Sequence, residues 1–208
     1  MAARLDGRAV TFSVIEDSAA VLDVQDVEVI AIDMPIGLSD DGVRACDVGA
    51  RRLLGRGGSS VFPAPVRPVL AARSYAEACA ISLVARGKSL SVQTFGLVPA
   101  IRALDDALGD PPDPRVHEIH PEVSFRALDA RVTDRKASGP GMAQRVRALQ
   151  QVMDVEDALA TAPVKVPVID ALDACAAAWS AQRIASGGAE WVGDNVRDAR
   201  GRPMRIHF

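Results

Sequence analysis

Apolar and polar positions alternate at two different periods along this chain. Asp6-Gly7 is a turn pair, and Ala9 to Ile15 brings strand-forming valine, threonine and phenylalanine, so the chain opens on a hairpin. A short helical piece over Ser18 to Leu22 follows. Val27 to Asp33 is an almost unbroken apolar run that ends in a carboxylate, with Pro35 and Gly37 just beyond. Such a run predicts a strand buried on both faces.

Helical spacing then takes over. Asp41 to Leu54 predicts a helix closed by Gly55, and Ser74 to Arg86 one capped by Ser74 and stopped by Gly87. Thr94 to Leu108 predicts a third, kinked at Pro99. Gly55 to Leu70 between them is irregular, with Gly57, Gly58, Pro63, Pro65 and Pro68. Val116 to His120 predicts a second strand between Pro114 and Pro121. Asp129 to Gly141 is polar and punctuated by glycine and proline, the pattern of a mobile loop. Helices are expected over Met142 to Val152, Asp154 to Thr161 and Asp170 to Ala185, and an edge hairpin over Trp191 to Phe208. Strands and helices alternate, so the expected class is α/β, helices packed on a sheet. The expected organisation is one domain over 1–208 with a loop and helical insertion at about 55–110.

Composition narrows the function. The 208 residues are 49% hydrophobic and 25% charged, as in a globular protein. A net charge of −3 argues against a wholly basic nucleic-acid-binding surface. Aromatics at 4% are too few for a base-stacking platform. No run approaches a membrane span, and the opening residues show no apolar leader. Cys46, Cys79 and Cys175 are widely spaced and odd in number, which fits neither a zinc site nor a disulfide framework. The expected compartment is a reducing cytoplasm.

Three acidic positions fall at predicted element ends. Asp33 closes the first buried strand, and ligands gather at the carboxyl ends of strands in open α/β sheets; a loop-capping carboxylate is the alternative. Glu118, His120 and Glu122 share one side of the second strand if it runs on. A glutamate in a short central strand needs a cation, a donor or a metal ion, and a buried arginine would serve equally. Asp170 and Asp173 lie at i and i+3 at a helix start, where a capping role is also expected. Converging carboxylates would form an oxygen-rich site for Mg²⁺ or Mn²⁺, and two such ions would bracket a scissile phosphate.

Other residues support such a site. Arg44, Asp47 and Arg51 form one helical stripe, read either as a phosphate-contacting face or as a solvated ion-pair ladder. His120 is placed to orient water or shuttle a proton. Lys136, with Arg131 and Arg135, belongs to the loop and would touch an anionic substrate as a lid, or simply be solvated. Gly55 to Ser60 lacks the spacing of a Walker loop.

The order of these motifs resembles the domain of unknown function 429 family, predicted RNase H-like nucleases. The resemblance is carried by Ala31-Ile-Asp-Met-Pro-Ile-Gly-Leu38, Arg44-Ala-Cys-Asp47-Val-Gly-Ala-Arg51, Ser60-Val-Phe-Pro-Ala-Pro65, Gln93-Thr-Phe95, Glu118-Ile-His-Pro-Glu122 and Asp170-Ala-Leu-Asp173-Ala. It implies an RNase H-like mixed sheet with flanking helices and a carboxylate metal site. Members usually open with a strand carrying an aspartate in a pattern like V-G-V-D-G. Here the text starts at Met1-Ala-Ala-Arg-Leu-Asp6-Gly7, like the end of the strand after it. Either the start is placed too late, or the sheet lacks its usual first strand; in the second case the site is short of one carboxylate and the exposed edges would pair in a homodimer.

The leading expectation is a metal-dependent phosphodiester hydrolase. Asp33, Glu118, Asp170 and Asp173 are its catalytic and metal-holding residues. Arg44, Arg51, His120, Glu122 and Lys136 bind substrate, a nucleic acid of unspecified type. The alternative is a degenerate relative that binds nucleic acid or a protein. A phosphotransfer enzyme fits less well, because the chain is short and has a single Gly-rich loop.

Overall fold

The computed structural model describes all residues, 1–208. The chain is a mixed α/β protein with six strands and seven α-helices. β1 (Ala2–Asp6) and β2 (Ala9–Ser13) form an antiparallel hairpin. Gly7 stands at the first turn position with φ of +58°, the left-handed value that glycine adopts without cost. β3 (Ile30–Ile32) pairs in parallel with β4 (Val116–Glu118). β5 (Trp191–Arg197) and β6 (Pro203–His207) form a second hairpin. A bridge from Ile119 to His207 joins β4 to β6, so the last four strands lie side by side in the order β3, β4, β6, β5.

The predicted run from Val27 contributes only Ile30 to Ile32 to the ladder. Its partner is equally short, being closed by Pro114 before it and Pro121 after it. Proline cannot donate to a ladder, so pairing stops there. The second strand therefore does not run on. Pro121 opens α4 (Pro121–Leu128), with His120 at its N-cap, which puts Glu122 in a helical first turn. Glu118, His120 and Glu122 do not share a strand face.

α1 (Ala45–Leu54) packs with β5 and β6. α2 (Tyr75–Arg86) starts at Ser74, whose Oγ accepts the Glu77 N–H, and ends at Gly87 with φ of +67°. α3 (Val92–Ala107) continues through Pro99 and is capped by Ser91. α2 and α3 pack around Leu38, Val66, Val69 and Leu90 as a separate apolar cluster. α5 (Gly139–Gln150), α6 (Val155–Thr161) and α7 (Val168–Ala185) enclose a second cluster with the first hairpin, centred on Phe125, Leu149, Met153 and Leu172.

The polar segment over Asp129 to Gly141 is not a free loop. Gln144 accepts the Thr133 and Asp134 N–H groups, and Arg145 reaches the Asp134 carbonyl. Gly141 opens against the Arg135 carbonyl, where an added Cβ would lie 2.1 Å from oxygen. Side chains of α5 thus hold the turn that carries Lys136.

β1 and β3 both pack on α7 but are not hydrogen-bonded to each other. Between them runs an open slot of about 1080 Å³, floored by Ala174, Ala177, Ala178 and Ala181 of α7. The alanines bring α7 close to the strands, and its first turns meet the carboxyl end of β3.

Candidate carboxylate site

At the end of the slot, Asp33 follows β3 directly. Solvent reaches its carboxylate, yet the residue sits deep in a concavity and accepts no hydrogen bond from the protein. Being surrounded by protein raises its pKa. His120 pulls it down, Asp173 pushes it up, Lys136 lowers it and Glu122 raises it, and the net direction is upward. Asp33, His120, Glu122, Lys136 and Asp173 therefore share one electrostatic site.

Each partner is held by a different element. Asp173, on α7, accepts from Lys136 Nζ at 2.8 Å through Oδ2, while its Oδ1 is buried without a partner. Burial raises the Asp173 carboxyl despite Lys136, and Glu122 adds to the rise. Glu122 is gripped by the buried Arg145 of α5, at 3.1 Å from Nε and 2.5 Å from Nη2. His120 points Nε2 at the Ser60 carbonyl, 3.4 Å away, and its Nδ1 is buried and unpartnered. A carbonyl only accepts, so Nε2 carries a proton. Asp170 is exposed in the first turn of α7 and lines the same slot.

Glu118 is not in this group. Its carboxylate is buried against Arg44, with Nη2 at 2.7 Å from Oε1 and Nη1 at 2.8 Å from Oε2. Arg44 also grips Asp47 at 2.6 Å and the carbonyl oxygens of Gly37 and Ile36. Burial disfavours the Arg44 charge, but Glu118 and Asp47 hold its pKa well above the usual value. Burial pushes the Glu118 carboxyl up to about 7, against the pull of Arg44. Arg44 has no route to a phosphate, because it is the buried N-cap residue of α1 and points inward. Arg51 is exposed on α1 with no contact to this cluster, so the expected arginine stripe is split between interior and surface.

Cys46, Asp47 and Glu118 bring ligand atoms within 4.8 Å of one another. They do not suit a metal ion. Arg44 already occupies the cation position, and burial holds the Cys46 thiol protonated well above its normal range. The Asp33 group has the better donor set, hard carboxylate oxygens of which several accept nothing. The ligand atoms of Asp33, Asp170 and Asp173 do not all lie within 4.8 Å of one another, so an ion shared by the three would have to draw them together.

Sequence reasoning missed Arg145. The available signal was a charge on the apolar stripe of α5, between Met142 and Leu149. It also missed the buried group in which Asp105 accepts from Arg67 at 2.8 Å, Arg200 at 2.8 Å and the wholly buried Arg202. Those residues come from three distant parts of the chain, and no spacing reveals them.

The family described as Protein of unknown function (DUF429) matches residues 1–197. No curated protein and no solved structure matches the chain. No helix is long and apolar enough to cross a membrane.

Proposed function

The chain belongs to the DUF429 family, and from that premise we propose that it is a divalent-metal-dependent phosphodiester hydrolase of RNase H-like type, working at the Asp33 site. One observation carries the reading. A carboxylate with no protein donor lies at the carboxyl end of the edge strand β3, in the field of two further carboxylates, with a buried orphan oxygen on one of them. That arrangement asks for a cation.

Asp33, Asp173 and Asp170 would hold Mg²⁺ or Mn²⁺, which would supply charge neutralisation and a more acidic bound water. The chain's own groups do the rest. Arg145 fixes Glu122 so that its carboxylate cannot swing toward Lys136. Lys136 stands half-exposed at the rim, where it meets an approaching phosphate and passes between that anion and Asp173. His120, oriented by its Nε2 contact to the Ser60 carbonyl, stands in the field of Asp33 as the group that would move a proton there. The acidic surroundings admit a polyanion only once the metal is bound.

Calorimetric titration of Mn²⁺ tests this. Saturable binding is expected in the parent and lost in Asp33→Asn and Asp173→Asn, while Glu118→Gln keeps it. Absence of binding in the parent refutes the metal role. A second reading has its own support, since the Lys136 ammonium already pairs with Asp173. In a non-catalytic binding module that ion pair would be permanent, and Lys136→Ala would then unmask no metal affinity.

A further inference from the structure

In the run from Val61 to Val66 only Phe62 is exposed. Val61 is 2% exposed, Ala64 5% and Val66 1%, against 53% for Phe62. The backbone that carries the ring is fixed on both sides. Val61 N–H donates to the Gly58 carbonyl at 3.2 Å, Ala64 N–H to the buried Asp47 carboxylate at 2.9 Å, and Arg86 to the Ala64 carbonyl at 3.1 Å. Pro63 and Pro65 restrict the dihedrals on either side of Ala64. Arg44 in turn holds Asp47, so the buried ion cluster anchors this segment. A lone exposed apolar residue is ordinary on a surface. A ring held on a backbone this constrained loses little further freedom when something stacks on it.

Two further observations give the ring a place and neighbours. Ser60, two residues before Phe62, presents its carbonyl to His120 Nε2 at 3.4 Å, and His120 acts on the charge of Asp33. Two Cα steps span at most about 7.6 Å, so Phe62 stands close to the His120 side of the Asp33 site. The chain leading there is basic. From Val48 to Ala76 there are five arginines and no aspartate or glutamate, in a protein of net charge −3. Arg67 pairs with Asp105 and Asp198, whereas Arg51, Arg52 and Arg56 are exposed. The 3₁₀ turns of Gly55–Ser60 fold back on the end of α1, where a Cβ added to Gly58 would lie 2.6 Å from the Arg51 carbonyl. Cations and ring belong to one continuous segment that adjoins the site.

In a duplex both faces of a base are covered by its neighbours, so an exposed ring can stack only on a base that is unpaired and splayed out. A chain with so few aromatics cannot stack a row of bases, but one ring takes one base. We propose that Phe62 stacks one unpaired base of a single-stranded nucleic acid whose phosphates lie along Arg51, Arg52 and Arg56, and that it makes the Asp33 site select single strands over duplex. The inference rests on the hydrolase reading and names its substrate class.

Fluorescence anisotropy in Mn²⁺ with labelled phosphorothioate oligonucleotides, one DNA and one RNA, tests the inference. Saturable binding of a single strand is expected with at least one of the two, and the matching duplex should bind at least about tenfold more weakly. Phe62→Ala should weaken single-strand binding at least about tenfold, leave duplex binding alone and unfold at the parent's temperature. Phe62→Trp should restore the affinity. Replacing bases one at a time by abasic sites should find one position that costs the parent as much as Phe62→Ala does and costs the variant nothing. Arg51→Gln together with Arg52→Gln should lower the slope of log affinity against log salt by about 1.4, two phosphate contacts at about 0.7 each. No single-strand binding by the parent, parental affinity in Phe62→Ala, the lack of such an abasic position or an unchanged salt slope overturns the proposal. Cleavage of ordinary single strands in Mn²⁺ separates the two readings. If Phe62→Ala binds and cuts as the parent does, this inference falls and the hydrolase reading stands; if the parent takes up no Mn²⁺, both fall.

Discussion

Replacing Arg44 with methionine removes the one cation from two buried carboxylates. The guanidinium donates to Asp47 Oδ1 at 2.6 Å, to Glu118 Oε1 and Oε2 at 2.7 and 2.8 Å, and to the Gly37 carbonyl at 3.1 Å. After its removal Glu118 keeps the N–H of Ile36 at 2.7 Å, and Asp47 keeps that of Ala64 at 2.9 Å. These neutral donors, with the weak Cys46 thiol on Asp47 at 3.9 Å, do not balance a buried charge. Removing one partner of such a pair costs about 3–5 kcal/mol, a large share of the roughly 5–15 kcal/mol of a whole domain. With a urea slope of about 2 kcal/mol/M, the unfolding midpoint should fall by roughly 2 M. Adding Glu118→Gln to Arg44→Met should cost less than the sum of the two single changes. A loss under about 1 kcal/mol for Arg44→Met, the range of exposed pairs, refutes the reasoning. So does strict additivity in the double variant.

Further outcomes follow from the same structure. The Asp33 and Asp173 carboxyls are both raised from their ordinary value, and a metal held as proposed would bind their ionised forms. Mn²⁺ affinity should therefore rise with pH as these carboxyls ionise, and a flat calorimetric profile would contradict it. Burial, with His117 beside it, pushes His207 down to about 4. A folded state that resists protonation loses stability as pH falls from 6.5 toward 4, by at most about 3 kcal/mol, and thermal melts of His207→Gln should show a shallower slope. Gly37 has φ of +74°, and an added Cβ would lie 2.9 Å from the Pro203 carbonyl. Gly37→Ala should lower the melting temperature, and an unchanged one would show that the segment yields. Arg202→Met leaves Asp105 with Arg67 and Arg200, so its loss should be nearer the 3 kcal/mol end of the buried-pair range in urea unfolding.

Local pattern carried much of this protein. The opening hairpin, the cap of α2, the closing glycines and the final hairpin all follow from residues within a few positions of one another. That is the range over which turn chemistry and capping act. Asp33 and Asp173 feel each other electrostatically, and the sequence pointed to both through an apolar strand closed by a carboxylate and an alanine-rich helix begun by two more. Glu118 and Arg44 show the limit. Sequence leaves a buried glutamate open to metal or arginine, because either satisfies the charge. The choice depends on α1 pointing Arg44 inward beneath β4. Glu122 likewise moved from a strand face to a helix turn because Pro121 ended the ladder, and its partner Arg145 lies on another helix. Only the packing of α7 against two separated strand edges opens the acidic slot. Charge balance in a low-dielectric interior is decided between elements far apart in the chain, so the elements themselves were legible in sequence and their pairing was decided by tertiary structure.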